Sequence, residues 1–175
     1  MSLSLTPNNT NLAQASKFAL AFDRLPFVTY FCTKANIPGI NSGNATQQNP
    51  FIDRPVPGDK MIYEPLTITF LIDEPLYAWT TIQDWIKGIT FPENFDQYKN
   101  LTLQQKLQQV GSTPQYSDAT LTILTNKNNP IVEVRFIDVF PISVSSIEFD
   151  TSLPATNILT GTASFMFTNY DINRM

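Results

Sequence analysis

The residues whose types could carry chemistry are the aspartates Asp53, Asp59, Asp73 and Asp84, the acidic pair Asp73-Glu74, Cys32, and the two tryptophans. Carboxylates gathered round a hard cation would make a metal site, and two carboxylates facing across a cleft would hydrolyse a glycosidic bond. Neither pattern is met. The aspartates lack the spaced oxygen-ligand loop of a cation site, and Asp73 and Glu74 stand side by side in one turn. Directly before Pro75 and an apolar repeat, this pair reads as the N-terminal complement of a helix. Pro57-Gly58-Asp59-Lys60 lacks the glycine-rich cradle of a phosphate loop and reads as a tight turn closing a long arm. The chain has one cysteine and no histidine. That excludes a disulfide framework within the chain, a Cys-rich zinc site, a Ser–His–Asp triad and a histidine switch. Cys32 reads as a buried structural thiol. Trp79 or Trp85 could touch a sugar, yet packing of their helix on a sheet accounts for both. No catalytic, cofactor-binding or metal-binding residue is expected.

Composition bounds the function further. The chain has 175 residues, of which 42% are hydrophobic and 15% charged. One domain over residues 1–175 is expected, since that length can bury a sizeable core. Aromatic content of 12% argues against disorder. No apolar run reaches the ~20 residues of a membrane-spanning helix, so no membrane partner is expected. The net charge is −4, and the 11 basic residues are scattered singly. Tight nucleic-acid binding needs a basic face to displace counterions, and none is legible. Met1–Gln14 lacks the basic and apolar regions of a secretory signal, so synthesis inside the cell is expected.

These residues must be positioned by mainly β structure. Residues 1–15 read as an Asn- and Thr-rich arm. Lys17–Arg24 and Val28–Ala35 read as strands joined by a hairpin at Arg24–Phe27. Residues 37–61 form a Pro- and Gly-punctuated long arm between strands, and a stretch of that length is usually functional. Pro65–Ile72 alternates cleanly as a strand. Leu76, Trp79, Ile82, Trp85, Ile86 and Ile89 follow at helical spacing, with Lys87 and Gly88 at the helix end. Leu101–Val110 reads as a short Gln-rich helix. Ala119–Thr125, Ile131–Phe140, Ser143–Asp150 and Leu159–Tyr170 read as further strands. The fold class is therefore a β-sandwich or barrel of about six to seven strands around one central helix.

The order of these segments resembles a known family. Phe18-x-Leu20-x-Phe22 leads to Phe31-Cys32-Thr33-Lys34-Ala35 and then Ile37-Pro38-Gly39-Ile40. The long arm, Gly58-Asp59-Lys60, Leu66–Ile72, Asp73-Glu74 and Asp84-Trp85 follow. Phe140-Pro141, Ile147–Asp150 and Ala163–Tyr170 are similar to a C-terminal β-hairpin of the same family. Over residues 16–172 the chain resembles the tail tube proteins of contractile-tailed bacteriophages, related to the tubes of type VI secretion and contractile injection systems. The N-terminal arm and the Gln-rich stretch depart from that pattern. The resemblance implies a virion protein, made in the host cytoplasm, that forms hexameric rings stacked into a hollow tube. It also implies tail sheath and baseplate proteins as partners, and DNA that transits without tight binding. A tube initiator, tail terminator or adaptor is the alternative within the family.

By its apolar residues the arm reads as packing on something, and with the stacked rings that the resemblance implies, a subunit interface is expected on it, at Ile37, Pro38, Ile40, Phe51, Ile52, Val56, Lys60 and Met61. A carbohydrate- or receptor-binding β-sandwich module is the competing class. A concave patch of exposed aromatics would favour it.

Overall fold

The computed structural model describes residues 12–108, 114–152, 154 and 156–175. Most of the expected N-terminal arm lies outside them. The elements run β1 Phe18–Phe22, α1 Pro26–Phe31, β2 Cys32–Ala35, β3 Ile40–Gln47, β4 Arg54–Tyr63, β5 Leu66–Leu71, α2 Tyr77–Thr90, α3 Asp96–Gln108, β6 Ser117–Leu124, β7 Pro130–Val144, β8 Thr160–Met166 and β9 Asn169–Arg174. The described residues thus hold nine strands and three helices in a mainly β fold, against the six or seven strands expected.

Seven strands form one antiparallel system in the order β1-β6-β7-β8-β5-β2, with β9 also on β7. The long strand β7 organises it. Its first half lies between β6 and β9, and its second half pairs with β8. The switch occurs at a bulge: Phe136 faces Ala119, but Val139 faces Ser117, with Asp138 at φ 56° between them. An extra residue in left-handed conformation bends a strand, and aspartate tolerates that conformation better than most side chains. The buried faces of the strands then meet in one core, where Leu20, Phe70, Phe136 and Phe165 join Ile82 and Trp85 of α2.

Several expectations are corrected here. Residues 26–31 are helical, so the second strand begins only at Cys32, and β1 pairs with β6 rather than with β2. A six-residue run satisfies periods of 2 and 3.6 alike, and Pro26 suits a first helical turn. Val28 is buried while Tyr30 is exposed. The two strands expected on either side of Pro141 are one, because a bulge between Pro141 and Ser143 accommodates the proline. It ends at Val144, and 145–150 form no strand. The strand expected over Leu159–Tyr170 is divided: β8 continues the sheet to β5, and β9 turns back onto the first half of β7.

Helix α2 matches its apolar stripe, but Gly88 does not end it. The helix runs to Thr90, and Phe91 closes it at φ 36°, donating its N–H to the Lys87 carbonyl at 2.7 Å. Gly88 is instead buried against α3, where a Cβ would stand 3.0 Å from Leu101 Cδ1. Helix α3 starts five residues earlier than expected, at Asp96, and Val110 lies outside the described residues.

Candidate functional site

The arm of residues 37–61 is an ordered β-hairpin. Strands β3 and β4 pair with each other and, among the described residues, with no other strand, from Ile40↔Tyr63 at the base to Gln47↔Arg54 near the tip. Both faces meet solvent, so no hydrophobic period marks it. Pro55 and Pro57 are tolerated because each strand of an isolated pair keeps an unpaired outer edge.

The base of the hairpin is fixed to the domain. The Tyr63 ring lies 5.4 Å from that of Phe167 and 5.3 Å from that of Tyr170. Tyr63 donates its hydroxyl to Asn169 Oδ1 at 2.7 Å, and Tyr170 donates to the Pro38 carbonyl at 3.2 Å. The Glu64 N–H reaches the Gly39 carbonyl at 3.0 Å. Among the described residues, the two apolar side chains at the tip beyond this anchor have nothing to pack on. Phe51 is 96% exposed and Ile52 74%.

The predicted interface residues therefore separate. Ile37, Ile40, Phe51, Ile52, Lys60 and Met61 are exposed, Val56 is half-buried, and Pro38 is buried in the anchor. Ile62, missed in sequence reading, is 60% exposed on the face opposite Ile40 and Met61. Its signal was the run Met61-Ile62-Tyr63, which places apolar groups on both faces of one strand. The expected tight turn at Pro57–Lys60 is a bulge within β4.

The alternative chemistry finds no such geometry. Asp73 accepts the N–H groups of Tyr77 at 3.0 Å and Ala78 at 3.1 Å, so its carboxylate serves the start of α2. Trp79 donates its indole N–H to the Ser145 carbonyl at 2.9 Å, and Trp85 donates to Gln115 at 3.1 Å. Both rings belong to the packing of the helix. Cys32 is half-buried, and its thiol donates weakly to the Lys34 carbonyl. Among the described residues, no three His, Cys, Asp or Glu side chains gather to hold a metal ion, and no helix is long and apolar enough to cross a membrane. An apolar cavity of about 480 Å³ lies beside the β6–β7 turn, and a polar notch of about 320 Å³ separates α2 from α3. Neither is lined by a tryptophan.

A family model described as phage tail tube protein matches residues 2–173. The chain belongs to the phage tail tube protein family. It is 29% identical over 119 residues to the tail tube terminator protein of Enterobacteria phage T4, covering 67% of this chain. The match spans 61% of that relative's length. Among solved structures, the tube-terminating cap of the anti-feeding prophage superposes with a TM-score of 0.62 at 14% identity, covering 100% of both chains. A chain from the extended sheath–tube complex of the PVC contractile injection system gives 0.59 at 12% identity, covering 95% of this chain and 94% of that one. At these identities the likeness is one of fold, and the family membership rests on the sequence. Within the tail tube family, an exposed hairpin anchored at its base is a candidate assembly element.

Proposed function

We propose that this tail tube family member is a structural component of a contractile phage tail that forms a hexameric ring and terminates the tube. The observation that carries the terminator role is the sequence match to the T4 tail tube terminator. It favours the terminator over the repeated tube subunit, which the family membership alone would equally allow.

The geometry supports ring formation. Among the described residues, strands β1, β6, β7 and β9 make a four-stranded run with an unpaired edge at β1 and another at β9. Two different open edges on one molecule are suited to head-to-tail pairing, which closes into a ring when the rotation per subunit allows it. Across this run the outward face carries two rows, Ala21–Thr120–Arg135–Asp171 and Ala19–Thr122–Glu133–Asn173. Small and polar side chains suit a channel wall past which DNA slides. The arm would then reach the neighbouring ring, with sheath and baseplate components as further partners in a virion tail.

Electron microscopy of the purified protein, alone and with isolated tail tubes, tests this reading. Six-fold rings that seat on one end of the tubes without lengthening them are the expected result. Lengthened tubes would assign the repeated subunit instead, and a protein that stays monomeric would overturn the ring itself.

A further inference from the structure

We propose that Gly58 aims the arm, by letting the backbone of β4 cross that of β3 at a fixed kink. The inference rests on the reading of the arm as an assembly element. Between the pairs Ser42↔Met61 and Asn44↔Pro57, β3 advances two residues while β4 advances four. Gly58, Asp59 and Lys60 thus stand opposite Gly43 alone. Extra residues on one strand bend and twist a hairpin, so the kink divides this one in two. The base half, Ile40–Ser42 with Met61–Tyr63, is held through Tyr63. The outer half carries Phe51 and Ile52.

The two glycines at the crossing are not equivalent. A Cβ on Gly58 would stand 2.5 Å from the Gly43 carbonyl oxygen, 2.7 Å from its carbon and 3.3 Å from its Cα. All three are backbone atoms, and no rotamer change relieves them. A Cβ on Gly43 would meet only the Lys60 carbonyl oxygen, at an ordinary 3.8 Å. Gly58 is therefore required by closeness of approach, and Gly43 is not. Any side chain at 58 must push the strands apart and swing the outer half. The anchor at the base and the core would stay as they are.

The experiment compares Gly58→Ala with Gly43→Ala. Spin labels at Asn49→Cys and Lys127→Cys, in a Cys32→Ser background, report the distance from arm tip to domain. Gly58→Ala should shift that distance while keeping its distribution narrow, leave the domain melting temperature unchanged, and lower attachment of rings to isolated tail tubes by about tenfold or more. Gly43→Ala should match the parent in all three. An unchanged distance for Gly58→Ala would overturn the proposal. So would a broad distribution, since the glycine would then keep the hairpin folded rather than aim it. If Phe51→Ala also leaves attachment intact, the arm is not the contact, and the reading beneath this proposal fails instead.

Discussion

The guanidinium carbon of Arg24 lies 5.1 Å from the ring centroid of Trp85, in a position where the arginine is 6% exposed. Its Nη1 donates to the Pro114 carbonyl at 2.5 Å and its Nη2 to the Leu101 carbonyl at 3.4 Å. Among the described residues no carboxylate pairs with it. Burial lowers its pKa from the ordinary arginine value. The charge is held by an aromatic face and backbone oxygens, and it joins β1's exit to α2, α3 and the entry to β6.

Arg24→Met should therefore destabilise the domain by about 2–3 kcal/mol, the scale of charge-assisted hydrogen bonds plus a desolvated cation–π contact. Denaturant unfolding would read this as a lower midpoint at an unchanged slope. A midpoint within error of the parent would show that the buried guanidinium does no net work.

Asp73 and Glu74 differ in role despite their adjacency. Only Asp73 reaches the first N–H groups of α2, and Glu74 is exposed. Asp73→Ala should cost about 1–2 kcal/mol, the usual range for losing a helix cap. Glu74→Ala should change stability by no more than about 0.5 kcal/mol, as surface substitutions do. Equal losses for the two would mean that general charge near the helix end matters rather than hydrogen-bond geometry.

Cys32 offers a test by pH. Burial raises its thiol pKa, and this outweighs the lowering by a backbone hydrogen bond at Lys34. With the pKa raised, a smaller fraction is thiolate at any given pH than in an unfolded chain. Alkylation by iodoacetamide should accordingly be slower than for a free cysteine at neutral pH. Its rate should reach half-maximum only above the ordinary thiol range. A midpoint at or below that of free cysteine would contradict the burial argument.

How much of this was legible depended on whether a segment buries one face. Leu66–Leu71 and the stripe of α2 were readable because alternation, or helical spacing, was imposed by a core on one side only. The hairpin at Ile40–Tyr63 had exposed faces and two prolines, so its strands looked like a loop. Its exposed apolar tip was still visible, because Phe51 and Ile52 were apolar with no periodic partner. Strand β7 was misread at Pro141, where a bulge takes up the proline, and its bend at Asp138 had no composition signal at all. Such bends are set by strands far away in sequence, here β6, β8 and β9. The helical turn at Pro26–Phe31 was too short for its period to declare itself.

The channel wall should carry no net positive charge if the ring is built from the open edges of β1 and β9. On the outward face of β1, β6, β7 and β9, Asp118, Glu133 and Asp171 accompany the guanidinium of Arg135, which pairs with Asp118 at 3.2 Å. DNA binding by assembled rings should be weak, with little of the steep salt dependence that phosphate neutralisation gives. Arg135→Ala should leave it unchanged. Strong binding that falls steeply with added salt would show a basic lumen and a different wall.

Phe51 should dominate attachment of the arm. Its ring is almost fully exposed, and among the described residues the two strands beneath it pair with no other strand of the domain. Removing it therefore takes nothing from the core, and the melting temperature of the isolated protein should not move. Burying it against a neighbouring subunit would remove a large apolar surface from water, and prolines in the arm reduce the entropy lost when it is held. Aromatic anchors of this kind often cost 2 kcal/mol or more on truncation, about a thirtyfold loss in affinity. Phe51→Ala should thus abolish ring stacking or tube attachment at concentrations where the parent assembles fully. Melting and electron microscopy on the same preparation separate the outcomes. A lowered melting temperature would place the ring of Phe51 against its own domain, and parental yields of attached rings would remove it from the interface.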